Sequence, residues 1–393
     1  MKRQLIVLAV VVLAAAGCSS DLPAPAGQGA DSARQPAAKS GFFDQAVHDK
    51  QLGQRTAKPV SVTGDSTKPW EQALDPEMVD TTRYAKPGGD YNLCFSNASV
   101  GNPWRQVGWK TMQAEVKLHP EITKFTVLDA ESKDDKQISD IQSFASKGCS
   151  AVIVSPNTTA TLTPAVESAC ATGVPVIVFD RGVKTTCPVT YVHPIGGFAF
   201  GADGAEFLKR EVPAGGKVLA LRISPGVDVL EQRWAAANEA FKDGRIKVVG
   251  VEFTDGDAAK TKTIVGDYLQ REGTIDGVWM DSGATAVAAV EAFQDAGIAM
   301  PAMVGEDQQD FLRMWADQKL KAVAPTYPTY QWRTPVIAAL RILNGKEVPR
   351  EWVLPQPKIT QDTLNEHLKV DMPPLHYAMC GCEQMPEYPA RWK

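Results

Sequence analysis

The sequence is most informative at residues 173–181, which read Gly-Val-Pro-Val-Ile-Val-Phe-Asp-Arg. This apolar run is short, rich in β-branched residues and bounded by Gly-Pro and Gly182, which predicts a parallel strand buried on both faces. Asp180 and Arg181 follow at its carboxyl end, where ligands bind in open α/β sheets. A carboxylate accepts hydroxyl hydrogen bonds and a guanidinium donates them, so the pair suits a neutral polyhydroxy ligand. The alternative is a salt-bridged strand end.

Strand and helix patterns alternate on both sides of this run. Upstream, predicted strands span residues 91–96, 125–129 and 151–156, with helices at 104–118 and 135–147 between them. Downstream the pattern restarts near Cys187, with predicted strands at 217–221, 246–251, 277–280 and 302–305. Such alternation indicates parallel βαβ units. The predicted fold is therefore α/β, with two similar doubly wound parallel-sheet (Rossmann-like) lobes that share a cleft.

The predicted domain boundaries divide the chain into five parts. They are a signal peptide (residues 1–17), a disordered tether with an N-terminal extension (18–89), an N-terminal lobe (90–193 with 327–352), a C-terminal lobe (194–326 with 353–360) and a C-terminal tail (361–393). The chain would cross between the lobes three times, at a hinge formed by residues 190–194, 325–327 and 352–357.

The composition limits the classes of protein to which this chain can belong. The 393 residues allow two or three domains, and a hydrophobic fraction of 44% is enough for a large core. The formal net charge of −5 becomes −7 when Lys2 and Arg3 leave with the signal peptide. A negative chain of this kind argues against a nucleic-acid partner.

The amino terminus predicts export. Lys2 and Arg3 precede an apolar stretch, residues 5–16, that is too short to span a bilayer. The small residues before Cys18 resemble a bacterial lipobox, although Leu is more usual where Ala15 stands. We therefore expect lipid on Cys18 to anchor the mature protein to a membrane, in the periplasm or at the cell surface. The alternative is an ordinary secretion signal with an incidental Cys.

The next segment, residues 19–68, is rich in Ala, Pro, Gly, Gln and Ser and shows no sustained hydrophobic period. Such a composition cannot bury enough apolar surface to offset the entropy of ordering the chain. This segment is therefore predicted to be a tether between the lipid and the folded part.

Polar and aromatic side chains also follow other predicted strands at the cleft edge. Asn102 can bond a hydroxyl group or cap the helix that begins at Pro103. Trp104 can lie against the C–H face of a ligand or belong to the core. Arg233, near a helix start, adds a donor or is a solvated surface charge. Asp281 with Ser282, and Glu306 with Asp307, would add acceptors from the second set of strands.

These motifs, in this order and spacing, resemble those of the periplasmic sugar-binding proteins of the ribose/galactose type, the solute receptors of ABC importers. The resemblance covers residues 91–358. It rests on Asn102-Pro103-Trp104, the run ending in Asp180-Arg181, Gln232-Arg233, Val304-Gly305-Glu306-Asp307 and Leu343-Asn344-Gly345-Lys346.

The resemblance implies a type I periplasmic binding protein fold and assigns roles to individual residues. Asn102, Asp180, Arg181, Arg233 and Asp307 would hydrogen-bond sugar hydroxyls, and Trp104 would stack on the sugar. The chain departs from the family pattern at three places. Asp281-Ser282 stand where an Asn is frequent, Thr326-Tyr327 stand where many members have a hinge Gln, and the tail beyond Thr360 is an addition. The predicted ligand-binding residues are Asn102, Trp104, Asp180, Arg181, Arg233, Asp281, Ser282, Asp307, Thr326 and Tyr327.

The predicted function is capture of a monosaccharide or polyol by hinge closure and its delivery to an ABC importer permease. The protein would be a monomer with no cofactor, no catalytic residue and no metal. A sugar sensor that presents its closed form to a membrane kinase or chemoreceptor is the alternative. An exported enzyme that uses Asp180 with Asp281 or Asp307 as an acid/base pair is a third hypothesis. The leader and the lack of a helix-turn-helix motif exclude a lac-repressor-type regulator.

Six cysteines besides Cys18 lie in a chain predicted to be exported, where disulfides persist. Cys149 and Cys170 lie at the same pole of one βα unit, which predicts a disulfide between them. Cys187 is predicted to pair with Cys380 or Cys382, and Cys94 to be a buried thiol. The run His376 to Cys382 also contains soft ligands, but Cys-x-Cys alone favours a disulfide over a metal site.

Overall fold

The computed structural model describes residues 42–283 and 285–393. The predicted signal peptide, Cys18 and the tether up to residue 41 lie outside the described residues. Ser40–Lys393 form one unit by their internal contacts. None of the helices in the described part of the chain has the length and apolarity needed to cross a lipid bilayer.

The chain before the first lobe contains regular structure. Its elements are α1 (Gln45–Gln54), β1 (Val60–Ser61), β2 (Gln72–Ala73) and β3 (Met78–Val79). This differs from the prediction of an unstructured tether up to residue 68. The reason is that polar rather than periodic apolar side chains hold α1. The Gln51 Oε1 accepts hydrogen bonds from the backbone of Phe198 and Ala199, and Arg55 pairs with Asp203 at 2.8 Å.

The N-terminal lobe contains a six-stranded parallel sheet covered by helices. Its elements in chain order are β4 (Tyr91–Asn97), α2 (Pro103–Lys117), β5 (Ile122–Asp129), α3 (Asp134–Ser143), β6 (Ala151–Ser155), α4 (Thr159–Ala171), β7 (Val176–Phe179) and β8 (Thr190–Pro194). A later strand, β15 (Glu351–Leu354), completes the strand order β15-β8-β7-β6-β4-β5. Every neighbouring pair in this sheet is parallel.

The C-terminal lobe repeats this plan. Its elements are α5 (Gly197–Glu211), β9 (Lys217–Arg222), α6 (Asp228–Phe241), β10 (Lys247–Phe253), α7 (Ala258–Glu272), β11 (Gly277–Met280), α8 (Ala286–Asp295), β12 (Ala302–Val304), α9 (Gln309–Gln318) and β13 (Ala322–Pro325). The strand order is β10-β9-β11-β12-β13-β16, in which β16 is the later strand Lys358–Ile359. Within this described sheet only β16, at the edge, is antiparallel to its neighbour.

The last part of the chain returns to both lobes. It contains α10 (Thr334–Leu343), β14 (Val348–Pro349), β15 (Glu351–Leu354), β16 (Lys358–Ile359) and α11 (Leu364–His367). The chain thus passes between the two sheets three times: after β8, after β13, and between β15 and β16. The predicted fold class, two parallel-sheet lobes joined by a three-segment hinge, is confirmed. Val353 and Leu354, placed beyond the predicted lobe boundary, pair within the N-terminal sheet.

Strand β7 shows why the apolar run at residues 176–179 forms the centre of its sheet. All four side chains are buried. Ile177 and Phe179 join the core that contains α10, while Val176 and Val178 join the core under α3 and α4. Because side chains alternate between the two faces of a strand, a run that is apolar at every position fits only a sheet covered on both faces.

The disulfides differ from the predicted pairs. Cys94 is bonded to Cys149, Cys170 to Cys187, and Cys380 to Cys382. The predictions of a Cys149–Cys170 bridge, of a bridge from Cys187 to the tail, and of a free Cys94 are therefore wrong.

The strand order explains the error in the N-terminal lobe. Strand β4 lies directly beside β6, although β5 separates them in the chain. Cys94, within β4, therefore lies close to Cys149, which leads into β6, and their Cα atoms are 5.7 Å apart. Cys170 ends α4 next to the loop that carries Cys187, so it finds a partner there instead.

Candidate functional site

A cavity of about 130 Å³ lies between the lobes, at the carboxyl ends of both sheets. The N-terminal lobe contributes the start of α2 and the residues that follow β7. The C-terminal lobe contributes the start of α6 and the residues that follow β9, β11 and β12. Both walls therefore consist of strand-end loops and helix starts, which are the parts of an α/β sheet that bind ligands.

Most of the predicted ligand-binding residues meet in this cavity. Eight of them line it: Asn102, Trp104, Asp180, Arg181, Arg233, Asp281, Ser282 and Tyr327. The other two, Asp307 and Thr326, are not among the described residues that line it.

Asp180 forms a buried ion pair with Arg105. The Arg105 Nη2 donates to the Asp180 Oδ2 at 2.7 Å, and both side chains are at most 4% exposed. The backbone of Asp180 adopts a left-handed conformation with φ of 68°, a region that Asp tolerates better than most residues. Burial lowers the pKa of Arg105 to about 10, and the charge of Asp180 opposes this shift. The guanidinium therefore remains charged at neutral pH, and Asp180 is a salt-bridged strand end that also faces the cavity.

Asn102 and Arg181 flank this ion pair. The Asn102 Oδ1 accepts a hydrogen bond from the backbone N–H of Arg105 and caps α2, which Pro103 begins. The capping role of Asn102 is thus present, and its exposed side chain also reaches the cavity. Arg181 donates through Nη1 to the backbone carbonyl of Asn157. This bond holds the guanidinium at the cavity wall.

Trp104 and Tyr327 join the N-terminal lobe to the hinge segment after β13. The Trp104 Nε1 donates to the Tyr327 carbonyl at 2.7 Å, and the two ring centroids are 5.6 Å apart. Trp104 also packs edge-on against the buried Trp332. The side chain is therefore both part of the core and part of the cavity wall. The hydroxyl of Tyr327 donates to the Asp180 carbonyl at 3.3 Å, and burial raises the pKa of Tyr327 well above its usual value, so this hydroxyl stays protonated.

Arg233 is the centre of the C-terminal wall. It is only 4% exposed, which excludes a solvated surface charge. Its Nη1 donates to the Asp281 carbonyl and lies 3.5 Å from the Glu306 Oε1, while its guanidinium packs 3.8 Å from the ring centre of Phe200. Glu306 also accepts hydrogen bonds from the Gly283 N–H and, at 3.2 Å, from the Tyr377 hydroxyl. Burial raises the pKa of Glu306, and the charge of Arg233 opposes this shift.

The two predicted residues outside the cavity wall have other partners. The Asp307 Oδ2 accepts a hydrogen bond from the Met379 N–H at 2.7 Å, so this carboxylate faces the C-terminal tail. Glu306 and Asp307 follow β12 directly, and their carboxylates have different partners: Glu306 contacts Arg233 and Tyr377, whereas Asp307 accepts from Met379. The Thr326 hydroxyl donates to the Pro357 carbonyl and so links two segments of the hinge.

Two of the three described arginines that line the cavity are paired with a carboxylate of their own wall, and the third, Arg181, bonds to a backbone carbonyl. Arg105 is paired with Asp180 in the N-terminal lobe, and Arg233 with Glu306 in the C-terminal lobe. Burial raises the pKa of Asp281 to about 7, which reduces its charge near neutral pH. A site built from paired charges offers many strong donors and acceptors without a large net field. It therefore suits a neutral polar ligand better than an ion.

Sequence reasoning missed two polar residues of the cavity, Arg105 and Tyr377. The helical period offered a signal for Arg105, because it lies on the same face of α2 as the buried Gly108 and Met112. An arginine on a buried face requires an acidic partner. For Tyr377 we find no comparable signal, since the tail has no regular pattern that places it at the cleft.

Replacing Asp281 by Asn is expected to change how stability depends on pH. Burial raises the pKa of Asp281 from 3.8 to about 7, so the folded protein retains this proton at pH values where the unfolded chain has released it. The stability contributed by the neutral carboxyl is therefore full below about pH 4 and is lost as the pH rises towards 7. A shift of this size corresponds to about 4 kcal/mol.

The test compares melting temperatures of the ligand-free wild type and Asp281→Asn between pH 4.5 and pH 8. Asn keeps an oxygen that can accept the hydrogen bond that Asp281 takes from the Ile223 N–H. We expect the wild type to lose several degrees relative to the variant as the pH rises. If the difference in melting temperature between wild type and variant stays constant over this pH range, Asp281 has an ordinary pKa.

Comparison with known proteins places the chain in a family. A model of the periplasmic binding protein domain matches residues 93–347. The ribose import binding protein of Bacillus subtilis (strain 168) is 26% identical over 277 residues, which cover 69% of this chain and 90% of that protein.

Solved structures agree with this match at the level of the fold. An ABC transporter solute binding protein from Thermobispora bispora superposes with a TM-score of 0.65 at 22% identity, over 76% of this chain and 95% of that one. The fructose-binding periplasmic domain of a hybrid two-component system superposes with a TM-score of 0.62 at 21% identity, over 70% of this chain and 92% of that one. The resemblance to the ribose/galactose type is confirmed, and the chain belongs to the periplasmic binding protein family.

Proposed function

We propose that this protein is an extracytoplasmic solute-binding protein that captures a monosaccharide or polyol between its lobes and delivers it to an ABC importer. The observation that carries this proposal is the cavity between the lobes, whose two walls each present an internally paired arginine and carboxylate. Neutral polyhydroxy compounds need donors and acceptors together, and such a cavity supplies both. The ribose import binding protein of Bacillus subtilis, which shares the family, supports the same class of ligand.

Hinge closure follows from the division of the site between the lobes. Asn102, Asp180 and Arg181 would bind one side of the sugar, and Arg233, Asp281 and Ser282 the other. A ligand that bonds to both walls stabilises only the closed arrangement and so shifts the population towards it. Closure around a ligand by hinge motion is the known behaviour of periplasmic binding proteins. The closed form is then the shape that the permease recognises.

Trp104 and Tyr327 would provide the apolar side of the site. Sugars present C–H faces as well as hydroxyls, and a ring pressed on such a face buries apolar surface while the polar groups keep their hydrogen bonds. The Trp104 ring is already fixed by its Nε1 bond to the Tyr327 carbonyl, and the Tyr327 ring by the bond from its hydroxyl to the Asp180 carbonyl. Little side-chain entropy is therefore lost when the ligand binds.

Binding without catalysis is the proposed outcome. The hypothesis of an acid/base pair required Asp180 with Asp281 or Asp307. Asp180 is engaged by Arg105, and Asp307 faces the C-terminal tail rather than the cavity. The remaining pair, Asp180 and Asp281, would have to act while Asp180 stabilises a buried arginine. The relatives with known roles are binding proteins, which supports the same conclusion.

A sensor is the second candidate function. It is favoured by the similarity to the fructose-binding periplasmic domain of a hybrid two-component system. The two functions share the cavity and the closing motion and differ only in the membrane partner. Genes for a permease and an ATPase beside this one would support the importer, whereas a membrane kinase gene would support the sensor.

The proposed location is the periplasm or the cell surface, with lipid on Cys18 as the membrane anchor of a monomer. Mass spectrometry of the mature N-terminal peptide tests the anchor directly. An unmodified peptide that begins elsewhere than at Cys18 would contradict it.

The proposed function is tested by a thermal-shift screen of pentoses, hexoses and polyols on the purified soluble chain. A ligand that binds only the folded state stabilises it by about 2.7 kcal/mol at 100 times its Kd. We expect at least one compound to raise the melting temperature by several degrees and to be recovered unchanged. The proposal fails if no sugar or polyol raises it, or if the bound compound is converted.

A further inference from the structure

A second cluster of ligand-type side chains lies in the C-terminal tail, apart from the residues that line the interlobe cavity. It consists of His376, Cys380 and Cys382, whose imidazole nitrogen and sulfur atoms all lie within 4.8 Å of one another. The three residues are 1%, 0% and 0% exposed. A set of one imidazole and two sulfurs, closed off from water, has the composition of a site for a thiophilic metal ion.

The imidazole of His376 supplies an independent observation. Neither ring nitrogen has a hydrogen-bond partner among the described residues, although both are buried. Buried polar groups in folded proteins are nearly always paired, so an imidazole with both nitrogens unpaired indicates a missing partner. The backbone around the ring is nevertheless well held: the His376 carbonyl accepts from Gln309 and its N–H donates to Pro373. The ring is thus positioned beside the two sulfurs with a free nitrogen.

The two sulfurs form a disulfide in this structure, and that bond closes a very small ring. The bonded cysteines are 2 residues apart in sequence, compared with 17 and 55 for the other two disulfides. In the chain-entropy description, the stabilisation by a disulfide grows with the length of the loop that it closes. The Cys380–Cys382 bond is therefore the one of these three disulfides that contributes least to holding the fold.

We propose that the reduced form of the tail binds one Cu(I) ion through His376, Cys380 and Cys382. A dithiol reductant supplies two electrons and two protons: the S–S bond of Cys380–Cys382 breaks, two thiols form, and the dithiol becomes a disulfide. Binding of Cu(I) then displaces the two thiol protons into solvent, and the two thiolates and the neutral imidazole hold the ion. A disulfide oxidant reverses this step: it takes the two electrons from the thiolates and two protons from solvent to become a dithiol, the Cys380–Cys382 bond forms again, and Cu(I) is released.

The choice of Cu(I) follows from the number and the type of the ligands. Structural Zn²⁺ sites are almost always tetrahedral, and the cluster offers three ligands among the described residues. Thiolate and imidazole are the ligands that copper favours, whereas oxygen ligands, which suit harder cations, are not part of the cluster. A surface cavity between α2 and the tail, lined by Lys110, Leu375 and His376, reaches the cluster on its imidazole side.

The experiment uses the mature soluble chain carrying Cys170→Ser and Cys187→Ser, which removes the half-buried disulfide as a competing source of thiols. The protein is reduced with dithiothreitol, freed of it by gel filtration under nitrogen, and titrated with Cu(I) against bicinchoninate. Two matched variants in the same background carry Cys380→Ser with Cys382→Ser, or His376→Asn. The melting temperature without ligand and the circular dichroism spectrum monitor folding in each variant.

We expect one Cu(I) per reduced chain, none in the oxidised chain, none above background in the double Cys variant, and at least about tenfold weaker binding in His376→Asn. The proposal is overturned if the reduced chain takes up no more copper than the double Cys variant. It is also overturned if thiol titration shows that the Cys380–Cys382 bond stays intact in the folded protein under dithiothreitol. Since copper uptake and sugar binding are measured separately, a failure of one does not imply a failure of the other.

Discussion

Asp180→Asn is expected to weaken sugar binding by roughly 10- to 100-fold, because a hydrogen bond to a charged partner contributes about 1.5–3 kcal/mol. Asn retains the shape of Asp180 and an oxygen that can accept from Arg105. It replaces the second carboxylate oxygen by an N–H group, however, and so turns an acceptor that faces the cavity into a donor. Isothermal titration calorimetry with the sugar found in the screen measures this loss.

The Asn variant is a sharper test than Asp180→Ala. Removing the whole carboxyl group would leave Arg105 buried without its partner, and breaking a buried ion pair in this way costs about 3–5 kcal/mol of stability. Loss of binding in the Ala variant would therefore mix a damaged fold with a damaged site. In the Asn variant the melting temperature should fall by only a few degrees while the affinity falls steeply.

Asp203→Asn is the matched control. Asp203 is also a mostly buried acid, paired with Arg55 at 2.8 Å and Lys358 at 2.7 Å, but it is not among the residues that line the interlobe cavity. We expect this variant to lose stability and to keep its affinity for the sugar within about threefold. If Asp203→Asn and Asp180→Asn weaken binding equally, the effect arises from lost ion pairs in general, and Asp180 is not a ligand-binding residue.

The local pattern predicts the sheets well and the long-range partners poorly. Residues 176–179 are apolar at each position, and that property alone implies a strand covered on both faces. The partner of Asp180 could not be predicted in the same way. Arg105 is 75 residues away and meets Asp180 only because α2 begins beside the end of β7. Arg181 is adjacent to Asp180 in the sequence, yet it bonds to the Asn157 carbonyl.

The same distinction explains the errors outside the site. The disulfide pairs depend on the lateral order of strands, and a pattern read along the chain contains no information on that order. Helix α1 depends on Gln51 and Arg55, whose partners lie in α5, so a search for apolar periodicity does not find it. The Asp307 carboxylate likewise faces the tail rather than the cavity, because it accepts a hydrogen bond from the Met379 N–H.

Trp392→Ala is expected to speed release of the sugar by at least about tenfold, because removing a buried Trp side chain costs about 3–5 kcal/mol and part of that energy holds the lobes together. The reason lies in the path of the tail, residues 361–393, which contacts both lobes. Towards the C-terminal lobe, Ala378 and Met379 donate to Asp307. Towards the N-terminal lobe, Trp392 is 2% exposed, and its Nε1 donates to Thr111 of α2 at 3.0 Å.

If the tail is rigid between these contacts, opening of the cleft breaks one of the two sets. The weaker of the two sets of contacts then determines how strongly the tail resists opening. Trp392 is the largest side chain in the set that reaches α2. Its packing partners include Val107 and Ala114 of the helix and Met385 of the tail. Shortening Trp392 to Ala leaves a cavity in this cluster and lowers the barrier to opening, so both entry and release of the sugar should become faster. Stopped-flow measurement of intrinsic fluorescence gives both rates.

Lys117→Ala separates this effect from a general change at the same surface. Lys117 lies on the same helix and bonds the same tail through Glu387 at 3.3 Å, but both side chains are more than half exposed. An exposed ion pair of this kind contributes at most about 1 kcal/mol, so the release rate should change by less than about fivefold. If Trp392→Ala lowers the melting temperature and leaves the release rate unchanged, the tail stabilises the N-terminal lobe alone. Faster entry together with faster release, at a nearly unchanged equilibrium affinity, is the result expected if the tail acts on the opening barrier.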